Sequence, residues 1–339
     1  MPVYNQVSPL DSPLVKPMEA VSDGIDGYTS STTDYFRGVL GDDHSDIDLY
    51  NGFGNFEGYT GKTLIDAHDT FIRSLKTSGI WGKTYDLVLF FGHKERKNIS
   101  LFHPLEGTMF NTSPLLGRHI DAFQGANNTR PTLSKSSPVQ LQRQRPNGTS
   151  YSFLGGAGNI TGDDNKQTEL RSRHRLPSSM TNGICMSAYI WNQGSYDNGS
   201  GSTDAEYGFS GAFMGAALGT TKKLSFGGSN TVYSIRVGGN TTISINVDDA
   251  LTGVALHTLN LQSDNSYKIY KNGVEKYSGT NGDNSNLPVN SQMNHFWNGT
   301  TDTPWSGFIS LTHYSEALTA QQVTALNSAV STLVGAFTS

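Results

Sequence analysis

The run T-L-I-D-A-H-D-T-F-I-R-S-L-K-T-S-G-I-W-G-K-T-Y-D-L-V-L-F-F-G, Thr63 to Gly92, hands one helix over to one buried strand, and the rest of the chain is arranged around it. Leu64, Ile65, His68, Phe71, Ile72 and Leu75 recur at three- and four-residue spacing, which aligns a single apolar stripe on a helix. Thr63 suits the N-cap, because its hydroxyl can accept a hydrogen bond from a free N–H of the first turn. Asp66 then stands at the positive end of the helix dipole. Gly79 closes the helix, since the closing residue usually needs positive φ, and Ile80 can fold back onto the last turn. Leu87-Val88-Leu89-Phe90-Phe91 follows, apolar on both faces, and predicts an interior strand.

Downstream the pattern is almost entirely β. Tyr151-Ser152-Phe153-Leu154, Gly183 to Trp191, Tyr207 to Met214, Lys223 to Phe226, Thr231 to Val237 and Thr241 to Val247 are candidate strands between Gly/Asn/Ser turns. Spacing of this kind indicates an antiparallel two-sheet sandwich. Tyr267 to Tyr277 reads as a hairpin about Asn272-Gly273, a pair that tolerates the two positive φ values of a type I′ turn. Trp305 to Tyr314 predicts a closing strand. Thr319-Ala320-Gln321-Gln322 then forms a capping box, with Leu318 and Val323 as its staple and Leu326, Val330 and Leu333 carrying the stripe to Gly335.

The helix F-I-x-x-L-K-x-x-G-I-W-x-K (Phe71 to Lys83) with the apolar run to Gly92 resembles one that recurs in virion proteins of tailed bacteriophages. In that family it opens a concanavalin A-like (laminin-G-like) jelly-roll module. Tyr267 to Leu333 carries the resemblance again through its Y-x-N-G hairpin, closing strand and final helix, whereas the middle of the chain matches only in texture. The resemblance implies a mainly β fold: a concanavalin A-like sandwich with an extended N-terminal arm, one helix before the sandwich and one after it. It also implies a non-enzymatic structural protein of the virion, of decoration or tail-fibre type, made in the host bacterial cytoplasm. Its partners would be other virion proteins and further copies of itself.

The division expected is an arm over residues 1–60 and a helix-plus-sandwich domain over 61–339. The arm lacks helical and strand periodicity and is broken by Pro and Gly, yet holds ten Asp/Glu against two Lys/Arg and eight aromatics. Free linkers are usually poor in aromatics. Tyr4, Tyr28, Tyr35, Phe36, Tyr50, Phe53 and Phe56 are therefore the candidate residues for docking onto the virion. Residues 94–175 reverse the balance, with twelve Lys/Arg against six Asp/Glu. Ordinary solvated surface explains this too; the sharper expectation sets the arm against a basic face. Arg171, Arg173 and Arg175 would share one side of a strand there.

Several chemistries find little support. The paired carboxylates of a concanavalin A-like glycosidase, E-x-D-x-x-E or E-x-D-x-E, are absent; Asp204/Glu206 and Asp248/Asp249 lack the third carboxylate. Asp248-Asp249 reads as a turn. Gly208-Phe209-Ser210-Gly211 falls short of a nucleophile elbow. Asp42 to Asp48 is oxygen-rich, but an EF-hand loop counted from Asp46 has Asn51 where the glycine is needed, so no metal and no cofactor are expected. Nucleic acid does not suit a chain of net charge -5. No apolar run reaches the length of a membrane span. Cys185, the single cysteine, lies in an apolar run and is expected buried and inert. The alternative function is a lectin-like adhesin for host-surface glycans, with Asn294, His295 and Trp297 as its candidate site. Trp297 and Trp305 have a competing reading as core plugs. A polysaccharide hydrolase is the third and weakest reading.

Overall fold

The computed structural model describes residues 61–89, 108–110, 119–124, 132–133, 141–144, 150–153, 156–157, 168–192, 211–229, 231–295 and 308–336. The architecture is mainly β, two antiparallel sheets forming a sandwich with one helix early in the chain and one at its C-terminal end. One sheet runs β16 (Val274–Gly279), β15 (Tyr267–Lys271), β14 (Gly253–Gln262), β9 (Gly183–Asn192), β18 (Phe308–Glu316), β7 (Gly156–Ala157) and β4 (Thr132–Leu133). Strand β1 (Thr84–Leu89) also pairs with β18. The second sheet runs β13 (Ile243–Asn246), β12 (Val232–Val237), β11 (Lys222–Ser229), β10 (Gly211–Leu218), β17 (Gln292–His295), β8 (Thr168–Arg175), β3 (His119–Gln124) and β2 (Thr108–Phe110). Strands β5 (Leu141–Gln144) and β6 (Ser150–Phe153) pair as a separate hairpin.

Helix α1 spans Gly61–Thr77, so Thr63 lies inside its first turn rather than at the N-cap. Its C-terminal end follows the expected chemistry. Gly79 takes φ +68°, its N–H donates to Lys76 O (3.1 Å), and Ile80 N–H donates to Leu75 O (2.9 Å). Those two bonds are a Schellman motif, and they fold Ile80 into the core. Phe71, Ile72 and Leu75 are buried, as the apolar stripe predicts. The surface α1 packs on is largely helix α2 (Ala320–Gly335), rather than the sheets directly.

The capping box of α2 is present in both directions: Gln322 N–H donates to Thr319 Oγ1 (3.2 Å) and Thr319 N–H to Gln322 Oε1 (3.1 Å). Gln322 Nε2 also donates to Ser78 O (3.2 Å), and Lys83 Nζ donates to Gln322 Oε1 (3.0 Å). One glutamine thus ties the end of the first helix to the start of the last. Asn260 adds a two-way clamp, donating to Leu318 O (2.7 Å) and accepting from Leu318 N–H (3.0 Å).

The Asn272-Gly273 turn has φ 51° and 75°, as type I′ requires. Asp248-Asp249 sits in a turn, with Asp249 at φ 61°. Cys185 is buried, and burial pushes its thiol up to about 12, so it stays protonated.

Candidate functional site

Two places hold the chemistry-bearing residues: a polar seam sealed between the sheets and an open groove at the β15–β16 edge. The seam takes two of the three residues expected to bind glycan. Asn294 and His295 lie on β17, inside its sheet between β10 and β8, and both are buried. Among the described residues Asn294 is 4% and His295 0% exposed, and the Asn294 Oδ1 atom is buried without a hydrogen-bond partner. Trp297 lies outside the described residues.

His295 Nδ1 lies 2.7 Å from Thr312 Oγ1 on β18, and its Nε2 is 3.3 Å from Asp86 Oδ2 on β1. Tyr314 meets the imidazole edge-on, centroids 5.7 Å apart, and its hydroxyl can donate to Asn294 O (2.7 Å) or Gly215 O (3.1 Å). Burial first, then the Asp86 carboxylate, pushes the Tyr314 phenol well above its ordinary value. Asp86 reaches this seam because β1 is bulged. One extra residue, Tyr85, separates Thr84, opposite Ser315, from Asp86, opposite Tyr314. The bulge turns Asp86 inward and leaves Thr84 on the other face, where its hydroxyl donates to Ile80 O (3.1 Å) and lies 3.0 Å from His313 Nε2.

Carboxylate, imidazole and hydroxyl stand here in the order of a nucleophilic triad. A triad needs space beside the hydroxyl for a reacting carbonyl, and Asp86, His295 and Thr312 are each 0% exposed. The seam therefore pins sheet to sheet. A second pin does the same farther along, where the Tyr233 hydroxyl lies 2.9 Å from Ala250 O and 2.8 Å from His257 Nδ1.

The groove is built differently. It holds about 460 Å³ and is lined by Ser266, Tyr267, Lys268, Tyr277, Ser278, Gly279, Thr280 and Asn281. Strand register puts Ile269 opposite Tyr277 and Tyr267 opposite Gly279, so Tyr267, Tyr277 and Gly279 share one face. Ile269 on that face is core, whereas Tyr277, out on the edge strand, is 37% exposed. The two tyrosine rings stack with centroids 6.1 Å apart and planes at 29°. A Cβ at Gly279 would stand 2.5 Å from the Tyr267 hydroxyl, so this glycine leaves the room that the ring occupies. The Tyr267 hydroxyl is buried without a hydrogen-bond partner. Burial, then the neighbouring Tyr277 phenol, pushes its pKa up to about 12. On the rim, Lys268 Nζ pairs with Glu275 Oε2 at 2.7 Å.

Sequence reasoning read Tyr267 to Tyr277 as a hairpin and assigned it no binding role. The signal for the groove was available in the alternation that sets Tyr277 two residues before a glycine. What that alternation lacked was the bulge between Ile269 and Tyr270 that fixes the register. The docking candidates Tyr4, Tyr28, Tyr35, Phe36, Tyr50, Phe53 and Phe56, and the acidic run Asp42 to Asp48, lie outside the described residues. Arg171, Arg173 and Arg175 stand at alternate positions of β8; Arg175 is exposed and donates to Asn290 O (2.7 Å). Among the described residues no three metal-ligating side chains converge, and no helix is long and apolar enough to cross a membrane.

No family model matches the chain, and no curated protein matches it in sequence. Among solved structures it is similar to the botulinum neurotoxin serotype D binding domain, at 11% identity and TM-score 0.43, over 73% of this chain and 51% of that one. It is similar also to domain 4 of AbnA, a GH43 extracellular arabinanase from Geobacillus stearothermophilus, in complex with arabinotriose. That match has 16% identity and TM-score 0.34, over 65% of this chain and 93% of the domain. A Trypanosoma rangeli sialidase matches at 8% identity and TM-score 0.42, over 78% of this chain and 39% of that one. The chain spans about half the length of the toxin binding-domain chain. Overlaps this loose bear on neither the site nor its ligand.

Proposed function

We propose that the chain is a non-enzymatic adhesion module of a bacteriophage virion. Its sandwich engages carbohydrate on the host surface, and residues 1–60 dock it to neighbouring virion proteins. The observation that carries the binding half is the groove at the β15–β16 edge, with stacked Tyr267 and Tyr277 beside a rim of hydroxyls and an amide. An aromatic face accepts the apolar C–H side of a sugar ring. Serine, threonine and asparagine can each donate and accept, which matches a ligand made of hydroxyls. The virion half is supported by the resemblance carried by Phe71 to Gly92 and by an arm rich in aromatics and carboxylates.

The test is calorimetric titration of the full chain with oligosaccharides cut from the host surface, with reducing ends followed in parallel. Binding without new reducing ends is the expected result. Sustained release of reducing ends would make the protein a hydrolase, and no heat with any oligosaccharide would remove the adhesion half. Antibody labelling of intact particles checks the virion half, which a particle free of label would overturn.

A further inference from the structure

We propose that the outward face of the second sheet, at Lys223 and Arg236, binds the acid group of an anionic saccharide. The proposal rests on the glycan-binding reading above and adds a subsite on the sheet that does not carry the β15–β16 groove. Strand alternation places the residues. Phe226, Tyr233 and Ile235 are 0% exposed, and the Tyr233 hydroxyl reaches His257 on the other sheet, so this set points into the sandwich. Ser225 stands opposite Arg236 in the register of β11 and β12, and Lys223 lies two residues before Ser225. All three therefore share the other, outward face. On β10 the residues opposite Lys223 and Ser225 are Ala217 and Gly215, which leave a low floor beside the two long cationic side chains.

The positive charge here has no counterpart in its own strands. Residues 211–247, which form β10 to β13 and their turns, contain Lys222, Lys223 and Arg236 and no Asp or Glu, in a chain of net charge -5. Lys222, opposite Leu218, alternates onto the other side of β11. Lys223 is 8% exposed, and among the described residues its ammonium has no hydrogen bond and no ion pair. Burial, then the Arg236 guanidinium, lowers its pKa, as befits one cation held near another. Arg236 Nε donates to Asn240 O (3.1 Å), which fixes the base of its fork. Asp283 comes beside β12 through its backbone, where its N–H donates to Val237 O (2.8 Å). Its carboxylate is engaged elsewhere, accepting from Ser285 Oγ (2.6 Å) and Asn286 Nδ2 (2.7 Å). An oxyanion set between the ammonium and the guanidinium is attracted by both and relieves their mutual repulsion. Ser234 and Ser244, paired on the same outward face, can donate to and accept from the sugar's own hydroxyls.

The full chain is titrated calorimetrically, at low and at high salt, with probes that differ in the acid group: sialyllactose against lactose, and trigalacturonate against its methyl ester. Sodium sulfate serves as the free anion. The expected result is binding of an acidic saccharide roughly tenfold or more tighter than its neutral partner, with a Kd that rises with salt. Lys223→Met keeps the buried aliphatic stem and removes the charge, and Arg236→Gln does the same on β12. Each, checked for an unchanged thermal midpoint, should weaken acidic binding by roughly tenfold and leave any neutral binding unchanged. Equal affinity for acidic and neutral partners, or acidic binding that survives both substitutions, overturns the proposal. Sulfate bound as tightly as the acidic sugars would show an anion site without saccharide recognition, and overturns it too. Binding of neutral probes alone removes this subsite and keeps the adhesion reading, whereas silence with every probe removes both.

Discussion

His257 and His313 are held neutral, because burial pushes both imidazoles down to about 3, with Lys271 adding to the shift at His257. A depressed folded pKa has a definite sign. Above the ordinary value near 6.5 both states are neutral and nothing is lost; below it the unfolded chain takes up protons that the folded chain refuses. Stability should therefore fall as pH drops from about 6.5 towards about 3, by up to ~1.4 kcal/mol per pH unit for each histidine. Denaturant midpoints across that window check this, and His257→Asn should flatten the slope by about one histidine's share. The Tyr233 hydroxyl, which serves both Ala250 O and His257, gives a companion test. Tyr233→Phe leaves those groups buried without it and should cost about 1–3 kcal/mol in the same titration. These residues also show where reading the sequence stops. His295 looks like a ligand contact in a polar loop, yet Thr312 and Asp86, which flank its two ring nitrogens, come from other strands. A polar residue met without its partner looks like surface.

The elements were legible where their own neighbours determine them. Gly79 and Ile80, the Asn272-Gly273 turn and the Thr319–Gln322 box all depend on contacts within a few residues, and each is present. Strand β14 was missed although it lies between β9 and β15, with Ala255 to Leu261 buried on both faces. Its His257, Thr258 and Asn260 broke the apolar pattern, and each bonds a residue far away, Tyr233 at His257 Nδ1, Ser187 and Leu318. Local periodicity has no access to such pairings. At this scale Gln322→Ala should be costlier than an ordinary cap deletion, which is worth about 1 kcal/mol, because it also breaks the links to Ser78 and Lys83. Equilibrium denaturation checks it; a loss no larger than that of Thr319→Ala would show that the links contribute nothing. Phe71→Ala, at a residue 1% exposed, should cost roughly 3–5 kcal/mol by the same measurement. A change within error of zero there would make α1 peripheral.

For the whole molecule the question is how the sandwich and the first 60 residues divide the work. Among the described residues one buried hydrophobic cluster runs from Phe71 to Val334 and takes in both helices and both sheets. The arm, by contrast, offers aromatics and carboxylates without periodicity, which suits laying side chains on a surface already formed. Many copies held close together on a particle would reinforce even weak contacts of this kind. The same charges fit two docking surfaces, a neighbouring virion protein or the basic stretch of the chain itself, where Arg171, Arg173 and Arg175 stand along β8. The two have different consequences for a chain lacking residues 1–60. If the arm lies on its own domain, truncation removes a folded-state contact, so the thermal midpoint drops, and it drops less at high salt, where the lost contact was already screened. If it lies on a neighbour, the isolated domain keeps its midpoint and fails only in the particle. We expect the second outcome: an unchanged melting curve for residues 61–339, with loss of incorporation when virions are assembled on the truncated protein. Normal incorporation would move the attachment to the sandwich itself and leave the arm's seven candidate aromatics without that role.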